Sequence, residues 1–277
     1  MEIGINASCA GDDVINDTLT TIKSVGIRNV MISQKGKEFE EYVINAKMLG
    51  LDIPFVHLEH RDIANDLWLD PKRAQDYIIM MIDGLEVCYR HGIKVAVMHA
   101  TNGDVKTNPP KVGQNGIKNM QTILDAARLC GVRIALENTD QNFEHFTYLM
   151  DNIPDLGFCY DCGHHYLYTP NEDLVGRYGN RMIAVHIHDN LRNWGGVREG
   201  FSRDIHVLPL SGTIDFAKVV ADITRAKYKG VWVIECYQSA IWANIKLYSK
   251  ATLAEFLREA MARFEKLKRM VKVTKAR

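Results

Sequence analysis

Six residues able to hold a divalent cation or move a proton stand at or near the ends of six successive short apolar runs. They are His57, His99, Glu137, Asp161, His186 and Glu235. Taken singly, each has an ordinary explanation: a histidine at a strand end is usually a satisfied loop-facing residue, and a carboxylate there often caps the following helix. Six in succession are poorly explained by independent accidents. Glu137, Asp161 and Glu235 are hard oxygen donors, and His186 adds one nitrogen. Three carboxylates and one imidazole with open positions suit a single divalent ion in octahedral surroundings. Mn²⁺ fits best, with Mg²⁺, Co²⁺ and Zn²⁺ also admissible. Without a cation, burying three carboxylates together would be very costly.

The elements that must position these residues are legible as an alternation. Strand candidates fall at 3–8, 29–32, 53–57, 94–99, 133–137, 156–161, 182–188 and 231–235, each rich in Val, Ile, Leu or Met as a strand buried on both faces should be. Between them lie amphipathic stretches, including 71–91, 116–130, 215–226 and the C-terminal 252–272. Pro71 suits a first helical turn with Asp70 as its N-cap, and Gly50, Gly92 and Gly131 suit C-caps. Eight strands alternating with helices predict an α/β fold, a single-domain (β/α)8 TIM barrel over residues 1–277 with a C-terminal helix and a short basic tail. A doubly wound sheet would usually carry a glycine-rich turn after its first strand, and Cys9-Ala10-Gly11-Asp12 is not one. Two long connections, 100–115 and 189–213, are expected to serve as lids or binding loops.

Composition narrows the partners. Lys+Arg and Asp+Glu balance at 34 each, so no global field attracts nucleic acid or an anionic membrane. No apolar run reaches membrane-spanning length, and the start of the chain lacks the basic head and apolar stretch of a signal peptide. Most of the six cysteines lie in or beside apolar runs, which predicts reduced thiols and a cytoplasmic location, with no zinc ribbon.

Four segments carry a family resemblance: Ala135-Leu136-Glu137-Asn138, Asp161-Cys162-Gly163-His164, His186-Ile187-His188-Asp189 and Val233-Ile234-Glu235. In order and strand placement they resemble the sugar phosphate isomerase/epimerase branch of the xylose isomerase-like TIM barrel superfamily, which also includes endonuclease IV. The segment from Asp204 to Asp215 resembles that group's loop before the seventh helix, with one departure. Leu210 stands where a Pro-Gly-x-Gly loop has its first glycine, so a leucine that resists positive φ is expected to change the loop's shape.

The resemblance implies metal ligation by Glu137, Asp161, His186 and Glu235, with Glu137 and Glu235 as the acid–base pair. It implies substrate contacts from His164 and Arg192, and His57, His99 and His188 are expected to join them in lining the pocket. The implied reaction is proton abstraction beside a carbonyl of a sugar or related polyhydroxylated compound, through a metal-stabilised enediolate. Returning the proton to the other face gives epimerisation, returning it to the next carbon gives isomerisation, and loss of a β-hydroxyl gives dehydration. Trp68, Trp194, Phe201 and Trp242 either stack on substrate or pack loops against the barrel or a neighbouring copy in a homo-oligomer. The competing reading is a three-zinc endonuclease IV-like nuclease. That enzyme's ligands resemble His57, His99, Glu137, Asp161, His164, His186, Asp204, His206 and Glu235, all present here in order. In the sugar-enzyme reading, Asp204 and His206 form an additional site that helps to order the loop at 189–213.

Overall fold

The computed structural model describes residues 1–102, 109–139, 143–190, 204–238, 248 and 250–275. The strands are β1 (Ile3–Asn6), β2 (Asn29–Ser33), β3 (Val56–His57), β4 (Val95–Met98), β5 (Arg133–Glu137), β6 (Gly157–Asp161), β7 (Met182–Ile187) and β8 (Trp232–Ile234). All pair in parallel with their sequence neighbours, and β1 pairs with β8 to close the barrel. Around them run α1 (Ile15–Ser24), α2 (Phe39–Met48), α3 (Gln75–Arg90), α4 (Gln114–Cys130), α5 (Phe143–Asn152), α6 (Cys162–Tyr168), α7 (Leu174–Tyr178), α8 (Phe216–Arg225) and α9 (Leu253–Lys275). No helix among the described residues is long and apolar enough to cross a membrane.

The expected punctuation largely holds. Gly50, Gly92 and Gly131 all have positive φ where helices give way to strands. The third helix starts later than proline placement predicts. Asp70 closes a turn whose Arg73 and Ala74 amides donate to its carbonyl, and the α-helix begins only at Gln75.

Strand alternation separates two apolar clusters. Phe158, Tyr160, Val185, Ile187, Trp232 and Ile234 belong to the large cluster beneath the helices. Met31, Phe55, Val97, Ala135, Cys159, Ala184 and Val233 fill the barrel interior. The register shifts between β6 and β7: Phe158 pairs with Met182 but Cys159 with Ala184, leaving Ile183 unopposed. This bulge sets Asp161 opposite His186.

The loop leading into α8 is tied from below. The Asp189 carboxylate accepts the amides of Asn190 (2.8 Å), Ile214 (3.1 Å) and Gly212 (2.7 Å). The Asn190 side chain accepts from the Ile205 amide at 2.8 Å, and its carbonyl accepts from Thr213. Leucine does adopt the positive φ that its type disfavours: Leu210 sits at φ 65, so the loop keeps this turn despite the substitution. Its side chain packs against the core, which offsets a backbone penalty of about 1–2 kcal/mol. Gly212 has no such latitude, because a Cβ there would lie 2.4 Å from the Asn190 carbonyl oxygen and closer still to Asp189. Replacing Asp189 by Ala removes the acceptor from three amides at once. Urea denaturation is expected to show a loss of about 2–4 kcal/mol, and a loss below half a kilocalorie would refute this account of the loop.

Candidate metal centre and active site

Each strand that supplies a side chain to the interior layer supplies a polar one two residues later. Phe55, Val97, Ala135, Cys159, Ala184 and Val233 are followed at that interval by His57, His99, Glu137, Asp161, His186 and Glu235. Because strand side chains alternate, the interval keeps all six on the inner face, one layer nearer the C-terminal mouth. The predicted ligands do converge. His186 Nδ1 lies 3.1 Å from Glu137 Oε1, 3.2 Å from Glu235 Oε2 and 3.8 Å from Asp161 Oδ2. One ligand atom from each of the four lies within 4.8 Å of the others. The opposite nitrogen of the ring, His186 Nε2, is buried and has no nitrogen or oxygen partner among the described residues, with the Cys159 thiol beside the ring.

Two further donor groups flank this set. On one side, His57 Nε2, His99 Nε2 and Glu137 Oε2 form a triangle with edges of 3.1, 3.2 and 3.2 Å. His57 Nδ1 donates to the Leu58 carbonyl at 2.8 Å, so its Nε2 is free to offer a lone pair. On the other side, Asp204 Oδ2 lies 2.8 Å from His164 Nε2 and 3.1 Å from His206 Nε2. His188 completes a possible ligand group with these three. The glutamate on β5 thus presents one oxygen to each of two donor sets. Buried acceptor atoms that converge in this way fit divalent ions by their chemistry.

Supporting residues hold the ligands in place. Asn138 accepts the Asp161 amide and donates to the Asp161 carbonyl, both at 2.8 Å, joining β5 to β6 beside the site. Asp161 also caps α6, accepting the His164 amide at 2.7 Å. The His188 side chain is fully buried behind it, with Nε2 3.0 and 3.1 Å from the two carboxylate oxygens. His188 therefore orients Asp161, and it is not among the residues that line the cavity, contrary to the sequence expectation. Gly163 leaves room for that ring, since a Cβ would come within 2.4 Å of both His188 nitrogens.

Asp204 and His206 gather with His164 and His188 in a separate group, and Asp204 accepts from Asn190 Nδ2 at 2.9 Å within the loop. Asp204 and His206 both face the cavity, while Asp189 and Asn190 do most of the loop tying. His206 is held at φ 44 by its Nδ1 contact with the Glu235 carbonyl and by stacking 3.8 Å from His188.

Burial penalises charge throughout the cluster; it prevails at His99, whose imidazole is lowered, whereas at Glu137, Asp161, His164, His186, Asp204 and His206 mutual attraction outweighs it. Glu137, flanked by His186 and His99, and Asp204, beside His206 and His164, are held well below the ordinary carboxylate range. Asp161 is lowered by His164 and His188. Conversely, Asp161 and Asp204 lift His164 well above the usual imidazole value, Cys159, Glu137 and Glu235 lift His186, and Asp204 lifts His206 to about 9.

The cavity above these groups measures about 210 Å³, small for a ligand site, and His57, His99, Glu137, His164 and Glu235 all line it. It also brings in Lys35, His60 and Tyr237, which strand-end reading missed because they sit in loops. Arg192, Trp194, Phe201 and Trp242 lie outside the described residues. Trp68 does not line this cavity: it is buried, donates to the Ala100 carbonyl at 2.7 Å and packs against His145.

A closed parallel eight-stranded barrel with acidic and imidazole groups gathered at its C-terminal mouth defines the class of TIM barrels. The chain belongs to the xylose isomerase-like TIM barrel family, whose sequence profile matches residues 22–266. Solved structures of similar fold include D-psicose 3-epimerase from Clostridium cellulolyticum H10, at 14% identity and TM-score 0.75, covering 98% of this chain and 99% of that one. An L-ribulose 3-epimerase matches at 15% identity and TM-score 0.74 over 100% and 96% of the two chains. A D-allulose 3-epimerase from Methylomonas sp. matches at 16% identity and TM-score 0.70 over 95% and 97%. An uncharacterised protein of Sinorhizobium fredii is 35% identical over 75 residues, which span 27% of this chain but only 21% of that protein's length.

Two outcomes follow from the site. Gly163→Ala should push His188 off Asp161 and weaken Mn²⁺ affinity about 10–100-fold while leaving the circular dichroism spectrum unchanged. Unaltered affinity would show that His188 does not orient the ligand. Second, His206 titrates higher in the folded chain than its ordinary 6.5. In the metal-free protein its stabilising contribution is complete below that value and is lost as pH rises through about 9. His186, the one imidazole among the four candidate ligands, is raised too, so metal uptake near neutral pH should release its proton, seen as a buffer-dependent enthalpy in calorimetry. A buffer-independent enthalpy would contradict the charge assignment.

Proposed function

We propose that the protein is a metal-dependent isomerase or epimerase acting on a sugar or related polyhydroxylated carbonyl compound. One observation carries the reading: Glu137 from β5 and Glu235 beyond β8 approach the same His186 nitrogen, at 3.1 and 3.2 Å, while both line one small cavity. Two carboxylates reaching a shared centre from separate strands can address one substrate carbon from different directions. The names of the similar structures, ketose 3-epimerases, support the same reaction class.

Glu137, Asp161, His186 and Glu235 would hold the ion, and Mn²⁺ suits three carboxylates with one imidazole. When bound, it supplies positive charge that stabilises the negative charge developing on the substrate's oxygens. Glu235, whose side chain is 12% exposed against 1% for Glu137, is the more open of the two carboxylates and takes the proton. Glu137, ionised at rest, delivers on the other side a proton drawn from the His164 imidazole 3.2 Å away, and the proton taken by Glu235 returns to His164 through solvent after turnover. His164, between Glu137 and Asp204, together with His57 and His99, hydrogen-bonds substrate hydroxyls and fixes which carbon faces the carboxylates.

A second reading is favoured by a specific observation: the His57–His99–Glu137 triangle and the His164–His188–Asp204–His206 group are also built like metal sites. With the Glu137–Asp161–His186–Glu235 set, these groups would hold three ions, which when bound would supply the positive charge that phosphodiester hydrolysis needs. The neutral net charge and the small cavity weigh toward a small molecule.

Glu137→Gln and Glu235→Gln should each cut carbohydrate turnover by roughly 10²-fold or more, and full activity in either would remove the proton-transfer roles. Elemental analysis separates the two readings, with about one ion per chain expected for the isomerase. A reproducible count near three, together with cleavage of abasic DNA, would establish the hydrolase instead.

A further inference from the structure

The cavity has a cationic side chain, Lys35, that the proposed chemistry does not use, and beside it an imidazole, His60, that burial holds well below its usual value. Lys35 follows β2 and His60 follows β3, whereas Asp204 and Glu235 lie beyond β7 and β8 on the far side of the ring. His60 packs edge-on to His57 and tilted against His99, both at 4.6 Å between ring centroids. Its backbone is fixed by Glu59, whose carboxylate accepts the amides of His60 and Arg61 at 3.0 Å each and is clamped by the Arg61 guanidinium. Its ring lines the cavity and makes no hydrogen bond to another described residue.

Lys35 Nζ lies 2.7 and 2.8 Å from the two oxygens of Asp12, whose side chain is 55% exposed. A pair with one partner this solvated contributes little, so the ammonium can exchange it for a ligand at small cost. Within the less polar cavity the same charge acts more strongly.

We propose that Lys35 and His60 form a carboxylate-recognising subsite, so that the substrate is a sugar acid rather than a neutral sugar. The inference rests on the reading of the adjoining carboxylate–imidazole cluster as the site of a carbohydrate isomerase or epimerase, and it names that enzyme's substrate class. One ammonium and one imidazole N–H match the two oxygens of a carboxylate. A phosphate would call for a cradle of backbone amides, and Cys236-Tyr237-Gln238 after β8 is not a glycine-rich loop. Asp12 then acts as a resident competitor that holds Lys35 until the substrate's carboxylate replaces it.

The test compares D-galacturonate with D-galactose, which differ only in carrying a carboxylate or a hydroxymethyl group at the last carbon. Binding to the Mn²⁺-loaded full chain is measured by calorimetry. The acid should bind about tenfold or more tightly than the hexose. Lys35→Met should reduce that ratio to about one, and His60→Ala should reduce it in part. Asp12→Asn should raise it, because the competitor is gone. Opposite signs for Lys35→Met and Asp12→Asn are the signature of competition. A latch that merely joins two loops would give both variants the same sign and would overturn the proposal. Equal binding of acid and hexose, a ratio that survives Lys35→Met, or tighter binding of galactose 6-phosphate than of the acid would overturn it as well. Hexose binding and turnover without acid preference would remove this inference alone. Failure of every carbohydrate to bind or react would remove the functional reading with it.

Discussion

The structure depends on the concentration of charge around Glu137. This carboxylate is wholly buried, yet four imidazoles from four other parts of the barrel, His57, His99, His164 and His186, reach it at 3.1–3.2 Å. Such a cluster would be prohibitively expensive if any member lacked an opposite charge or a hydrogen bond. The histidines and carboxylates are therefore interdependent.

Holding that cluster requires precision from parts of the barrel that do no chemistry. The apolar layer of Phe55, Val97, Ala135, Cys159, Ala184 and Val233 sets the depth at which the polar layer begins. The bulge at Ile183 places Asp161 level with His186. Asn138 and His188 then fix Asp161 through its backbone and its carboxylate. Gly163 keeps the space in which His188 can do so. These contacts explain why supporting residues around a site can matter nearly as much as the ligands themselves.

The cavity is asymmetric in a way that bears on selectivity. Its β7 and β8 side carries Asp204 and Glu235, and its β2 and β3 side carries Lys35 and His60. A ligand crossing it would meet carboxylates at one end and the Lys35 ammonium at the other. Tyr237, whose amide donates to the His206 carbonyl, also lines the cavity and adds a hydroxyl-bearing side chain.

The sequence by itself determined the repeated strand–helix unit and the residues that close its strands. Both are local patterns: alternation within a strand is set by backbone geometry, so Glu137, Asp161 and Glu235 could be assigned to the inner mouth before any contact was known. Tertiary structure alone decided which side chains meet. His188 shares the inner face with His186, but only the packing of α6 through Gly163 places it behind Asp161 instead of in the cavity. Lys35 and His60 lie in loops after different strands, and no periodicity connects them. Leu210 shows the same division: its type argues against positive φ, and the core packing and loop hydrogen bonds impose it regardless. Spacing along a chain specifies the face a residue occupies, whereas closure of the barrel, a long-range event, fixes its neighbours.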